Sequence, residues 1–155
     1  MRVRGAGDPG RGVADLFRSL DSNMKGPMNT QNTQSQCSCS SAPKSVFPCS
    51  GASDVGGLSD QAARQMAKDG TGKMYCLAGI GGRVSGIMAT TESAARILAI
   101  DGCPLDCAKN SLEQAGFKKY EHLQLADLGM EKGKTPPTPE AIAKAATAGA
   151  AKLVC

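Results

Sequence analysis

Arg96-Ile97-Leu98-Ala99-Ile100-Asp101-Gly102-Cys103-Pro104-Leu105-Asp106-Cys107-Ala108-Lys109 is the stretch that decides how this chain is read. Its first five residues form a branched apolar run closed by Asp-Gly, the pattern of a buried strand entering a tight turn. Pro104 suits the first position of a helix, where a missing N–H costs nothing. Cys103 is then the expected N-cap, and Cys107 lies one turn into a helix expected from Leu105 to about Ala115, so both thiols project into the space above the strand end. Free amides and the positive end of the helix dipole favour thiolate there.

Cys76 lies 27 residues before Cys103, and Cys49 lies 27 residues before Cys76. A strand of about five residues, a helix of about twelve and two short loops fill roughly that interval. In a run of βα units the three cysteines fall near the carboxyl ends of three parallel strands, with Cys107 beside them. That is the edge where open α/β sheets bind ligands.

The rest of the chain fits this frame. Ser45 to Cys49 reads as a first strand, Ser50 to Gly57 as a flexible loop, and Leu58 to Lys68 as a helix stopped by Gly70. Lys73 to Ala78 reads as a second strand followed by a glycine turn, Tyr120 to Leu125 as a fourth, and Pro139 to Lys152 as an Ala-rich final helix. Glu92 to Ile97 looks like a helix end feeding the strand at 96–100. The expected fold is a small three-layer, Rossmann-like α/β domain over residues 45–155, a parallel sheet with helices on both faces. Residues 1–44 are Gly/Pro/Arg-rich and then polar, and are expected to be a disordered tail in which Met24 and Met28 are alternative starts.

Composition narrows the function. Aromatics are 3% of the 155 residues and Trp is absent, which leaves no stacking platform for bases. Residues 1–44 carry six Lys/Arg and three Asp/Glu, against twelve and eleven in residues 45–155. The near-neutral domain argues against nucleic acid as a partner. No apolar run is long enough to span a bilayer and no secretory leader is evident, so a cytoplasmic protein without membrane attachment is expected. Seven cysteines in a reducing compartment point to metal ligands or redox groups before disulfides.

Gly79-Ile80-Gly81 begins a dinucleotide fingerprint, but Val84 stands where its third glycine is needed, and no Gly-Lys-Ser/Thr follows. Cys76 to Arg83 is one residue too long for the Cys-x5-Arg loop of tyrosine phosphatases. Asp106 is expected to satisfy amides at the helix start, and Asp101 those of the turn. The single histidine, His122, alternates with Leu123 and Leu125 and reads as a half-exposed strand position. Cys37 and Cys39 fall in the tail, where they are decoration or a tether, and Cys155 ends the chain.

Asp101 to Ala108, with Cys49-Ser50-Gly51-Ala52-Ser53-Asp54-Val55-Gly56 and Met74-Tyr75-Cys76-Leu77-Ala78-Gly79-Ile80-Gly81-Gly82, resembles the DGC-domain family of zinc-binding proteins over roughly residues 45–150. The resemblance implies a small prokaryotic-type protein with a zinc site and no established reaction. The four cysteines of the family pattern fall on Cys49, Cys76, Cys103 and Cys107. The expected metal ligands are therefore these four, around Zn2+ in a structural or carrier role, or around an iron–sulfur cluster, which accepts the same set. The competing expectation is a thiol redox or thiol-transfer enzyme with Cys103 as nucleophile and Cys107 or Cys76 resolving.

Overall fold

The computed structural model describes residues 43–154. The tail expected over 1–44 lies, but for its last two residues, outside the described residues, as do Cys37, Cys39 and Cys155. The protein is α/β, with a four-stranded, wholly parallel sheet. Its strands are β1 (Lys44–Pro48), β2 (Lys73–Met74), β3 (Arg96–Asp101) and β4 (Glu121–Gln124). Its helices are α1 (Asp54–Lys68), α2 (Leu77–Gly81), α3 (Ser85–Glu92), α4 (Cys107–Gln114) and α5 (Pro139–Lys152), with a 3-10 turn at Leu125–Leu128.

The order across the sheet is β2-β1-β3-β4. The chain steps from β1 outward to β2, then crosses back to the other side of β1 for β3. Consecutive connections therefore leave β1 and β3 in opposite directions, and the carboxyl ends on either side of such a switch are the usual ligand position of doubly wound sheets.

Alternation along the strands builds the two faces. Val46, Leu98, Ile100 and Leu123 point to one side, where Leu58, Ala62 and Met66 of α1 and Ala145 and Ala146 of α5 cover them. Phe47, Ile97 and Ala99 point to the other, against Ile80 of α2 and Ala108 and Leu112 of α4. The central pair β1–β3 is buried on both faces, so its strands read as continuous apolar runs. The three layers match the expectation. No helix among the described residues is long and apolar enough to cross a membrane.

Several boundaries differ from the sequence reading. Helix α1 begins at Asp54, inside the expected loop, because Ser53 caps it by accepting the Gly56 N–H at 3.2 Å. A Cβ on Gly56 would stand 2.3 Å from the Gly51 carbonyl oxygen, so this glycine is there for close approach and not for a flexible loop. The glycine turn after Cys76 folds as α2, and β2 is only two residues long.

Candidate metal centre at the carboxyl edge of the sheet

Strand register aligns the cysteines. Pro48 of β1 is level with Ile100 of β3, so Cys49 is level with Asp101 and Cys103 lies two residues further on. The Cys49 N–H donates to the Ile100 carbonyl at 2.9 Å, extending the ladder by one residue past β1. On the other side Val46 is level with Met74, and Cys76 comes two residues after it, at the start of α2. Cys49, Cys76 and Cys103 thus follow the carboxyl ends of three neighbouring strands, and Cys107 opens α4.

The Cys49 sulfur accepts the Gly102 N–H at 3.4 Å and lies 3.2 Å from Ser59 Oγ. Ser59 spends its own proton on the Gly56 carbonyl, 2.8 Å away, so in the thiol form Cys49 donates to Ser59. Gly102 is needed for this approach: a Cβ there would sit 2.6 Å from the Val55 carbonyl oxygen at the start of α1. Cys49 and Cys103 are half-buried, whereas Cys76 and Cys107 are exposed, and all four are free thiols.

The expected capping scheme is wrong in one respect. Cys103 is not the N-cap of α4. Residues 103–106 form a turn closed by the Asp106 N–H on the Cys103 carbonyl, and the cap is Asp106, in the left-handed region at φ 50. Asp106 uses its side chain elsewhere, accepting from Gln124 Nε2 at 2.7 Å and pairing with Lys109 at 3.5 Å. Asp101, almost wholly buried, takes over the helix start. Its two oxygens accept the Ala108 and Lys109 N–H groups at 2.8 and 3.0 Å.

The Cys107 thiol also departs from the sequence reading. Burial pushes its pKa up, and the charges of Asp101, Cys49 and Cys103 push it the same way, outweighing its own backbone amide. Helix position alone had pointed to an easy thiolate. The neighbours reverse that sign.

Four cysteines share the edge, but among the described residues no three of their sulfurs lie within 4.8 Å of one another. The group that does meet is Asp101, Asp106 and His122. His122 Nε2 is 3.1 Å from Asp101 Oδ2 and 3.9 Å from Asp106 Oδ1. Sequence reasoning missed this contact, since only the placement of β4 beside β3, with His122 level with Ala99, brings the histidine to the edge.

Residues 45–148 match the DGC domain. The chain is similar to the anaerobic and virulence modulator AnvM of Pseudomonas aeruginosa, with 37% identity over 87 residues. That match takes in 56% of this chain and 66% of the relative, so the chain spans just under two thirds of that protein's length. No solved structure matches the chain.

Proposed function

This chain belongs to the DGC-domain family, and from that premise we propose that it is a zinc-binding protein whose ligands are the thiolates of Cys49, Cys76, Cys103 and Cys107. One observation carries the reading: the four thiols follow β1, β2 and β3 and open α4, at the edge where the strand order reverses between β1 and β3. The donor set fits the group, since four thiolates satisfy the tetrahedral preference of Zn2+. The electrostatics fit as well. The charges of Cys49 and Cys103 are among the causes that push the Cys107 thiol up, and a dication is what relieves such repulsion. Bound zinc would supply a fixed centre joining the turn after β3 to the ends of β1 and β2.

The thiol-enzyme reading is the weaker. It needs Cys103 at a helix N-terminus, whereas that residue lies in the preceding turn. It also gains nothing from Cys107, whose thiol is pushed up. A relative named as a modulator favours a regulatory protein, in which binding is the working event.

The test is metal analysis of untagged protein, with cobalt substitution to report thiolate ligation. Expected is about one zinc per chain, no visible absorption before cobalt is added, and loss of metal in each of the four Cys→Ser variants. Zinc content unchanged in all four variants overturns the reading. Intense visible absorption with iron present assigns the same thiolates to an iron–sulfur cluster.

A further inference from the structure

Pro48 shapes a second feature of the same edge. In the parallel ladder Val46 faces β2, since its carbonyl accepts the Tyr75 N–H at 2.9 Å, and Pro48, two residues on, faces the same way with no N–H to give. Pairing with β2 stops there. The chain turns off through Tyr75 and Cys76 into α2, and the gap left between β1 and β2 is a cavity of about 930 Å3. Cys49, Cys76, Tyr75 and Ala78 line it together with Asp60 and Arg64 of α1.

The two charged residues are fixed to the thiol side. Ser50, directly after Cys49 and in the left-handed region at φ 46, donates its hydroxyl to Asp60 at 2.9 Å. Asp60 in turn accepts from Arg64 Nε at 2.6 Å and Nη2 at 3.4 Å. Arg64 Nη1 makes no hydrogen bond among the described residues, and the arginine side chain is 62% exposed against 16% for Asp60. A simple anion would meet Arg64 but be repelled by Asp60, and a simple cation the reverse. A molecule with ammonium and carboxylate on one carbon satisfies both through charge-assisted hydrogen bonds. The two thiols in the same lining add the remaining element of recognition, a sulfur.

We propose that this cavity is a binding site for a small amino-acid thiol or its disulfide, its zwitterionic end held by Asp60 and Arg64 and its sulfur against Cys76. The site shares Cys76 with the metal reading but does not depend on it, since the exchange takes place on the thiol free of metal. With a disulfide the chemistry is exchange: the Cys76 thiolate attacks one sulfur and forms a new S–S bond. The old S–S bond breaks, and the departing half leaves as a thiolate that takes a proton from water. Cys76 is oxidised by the disulfide, which is reduced, and no other reagent takes part.

The experiment uses the full chain, reduced, stripped with a chelator and desalted, after its zinc content has been measured. Four symmetrical disulfides are offered separately: cystine, which is zwitterionic; cystamine, cationic; dithiodiglycolate, anionic; and 2-hydroxyethyl disulfide, neutral. The initial rate of adduct formation on the Cys76 peptide is read by mass spectrometry and divided by the rate with free N-acetylcysteine amide. Cystine is expected to show a normalised rate about tenfold above the other three, saturating with concentration. Asp60→Asn and Arg64→Gln should each bring cystine's normalised rate down to that of the neutral disulfide on the same variant, with circular dichroism showing that each variant is folded. Equal normalised rates, a preference for cystamine or dithiodiglycolate, or a cystine preference that survives both substitutions overturns the proposal. Cystine selectivity in a chain that carried no zinc upholds the cavity and overturns the four-thiolate reading.

Discussion

His122 Nε2 lies 3.1 Å from Asp101 Oδ2, which ties β4 to the end of β3 through a carboxylate that also holds the first amides of α4. Both Asp101 oxygens are committed to that helix. Asp101→Ala therefore strands two amides at the start of α4 and removes the histidine's partner. A loss of about 1–3 kcal/mol in unfolding free energy is expected, with hydrogen exchange faster at Ala108 and Lys109 than elsewhere in the helix. Unaltered exchange at those two amides would show that the carboxylate does not hold the helix.

Gly102 and Gly57 should respond in opposite senses to the same substitution. A Cβ at 102 meets the Val55 backbone at 2.6 Å, whereas nothing lies within 4 Å of one at 57, on the surface of α1. Gly102→Ala should cost about 1–3 kcal/mol and expose Cys49 to faster alkylation, because the Gly102 N–H can no longer stay on its sulfur. Gly57→Ala should stabilise by about 0.5–1 kcal/mol. Parallel denaturant titrations decide the matter, and equal effects at the two positions would contradict it.

Asp54 joins the start of α1 to the loop before α5, accepting the Gly133 and Thr135 N–H groups at 2.9 and 3.1 Å. The Gly133 amide first, then that of Val55, hold its carboxyl below the ordinary 3.8. A depressed folded-state pKa gives a contribution that is complete above the unfolded value and fades as pH falls through the folded one. Protease nicking around Gly133 should accordingly stay slow at neutral pH and rise in that acid range. Asp54→Ala should be nicked readily at every pH. A variant as resistant as the parent at neutral pH would refute the tie.

Tyr120 gives the alkaline counterpart. Burial, then the hydrogen bond to Glu113 and that residue's charge, push its hydroxyl up to about 12, from an ordinary value of about 10. The folded state keeps its proton longer than the unfolded chain, so the stabilisation is complete below the unfolded pKa and is lost as pH rises through the folded one. Ultraviolet titration should show one tyrosinate step near 12, absent in Tyr120→Phe. A single step near 10 for both tyrosines would contradict the burial of this hydroxyl.

The parts of the fold legible in the sequence are those with long-period or punctuated patterns. Pro139 at the start of α5 and the apolar run of β3 fix their elements to within a residue, because local preference and tertiary packing agree there. They disagree at the start of α1, where glycines that look like a loop are helical: close approach of the backbone at Gly56 outweighs propensity. They disagree again at Pro104, which suits a helix start but sits in the turn ahead of it. The cysteine positions at strand ends followed from their spacing. The Asp101–His122 contact, the transfer of capping from Asp106 to Asp101, and the Asp60–Arg64 wall depend on strand order and on which helix covers which face, and neither is written in local pattern.

The central pairing of β1 with β3 sets an order in time. A chain leaving the ribosome shows Val46 and Phe47 to solvent until Arg96–Asp101 has been made, since those residues supply the neighbouring strand. Long-range parallel pairing of this kind is slow to form. Cys49 is made before α1 and Cys76 before α2 and α3, and the strand that pairs along β1 is the one that carries Cys103 into place, ahead of the core residues Leu123, Leu125, Ala145 and Ala146. Assembly of the thiol edge thus waits on the central pairing of the sheet, and a nascent chain stalled before Asp101 has neither.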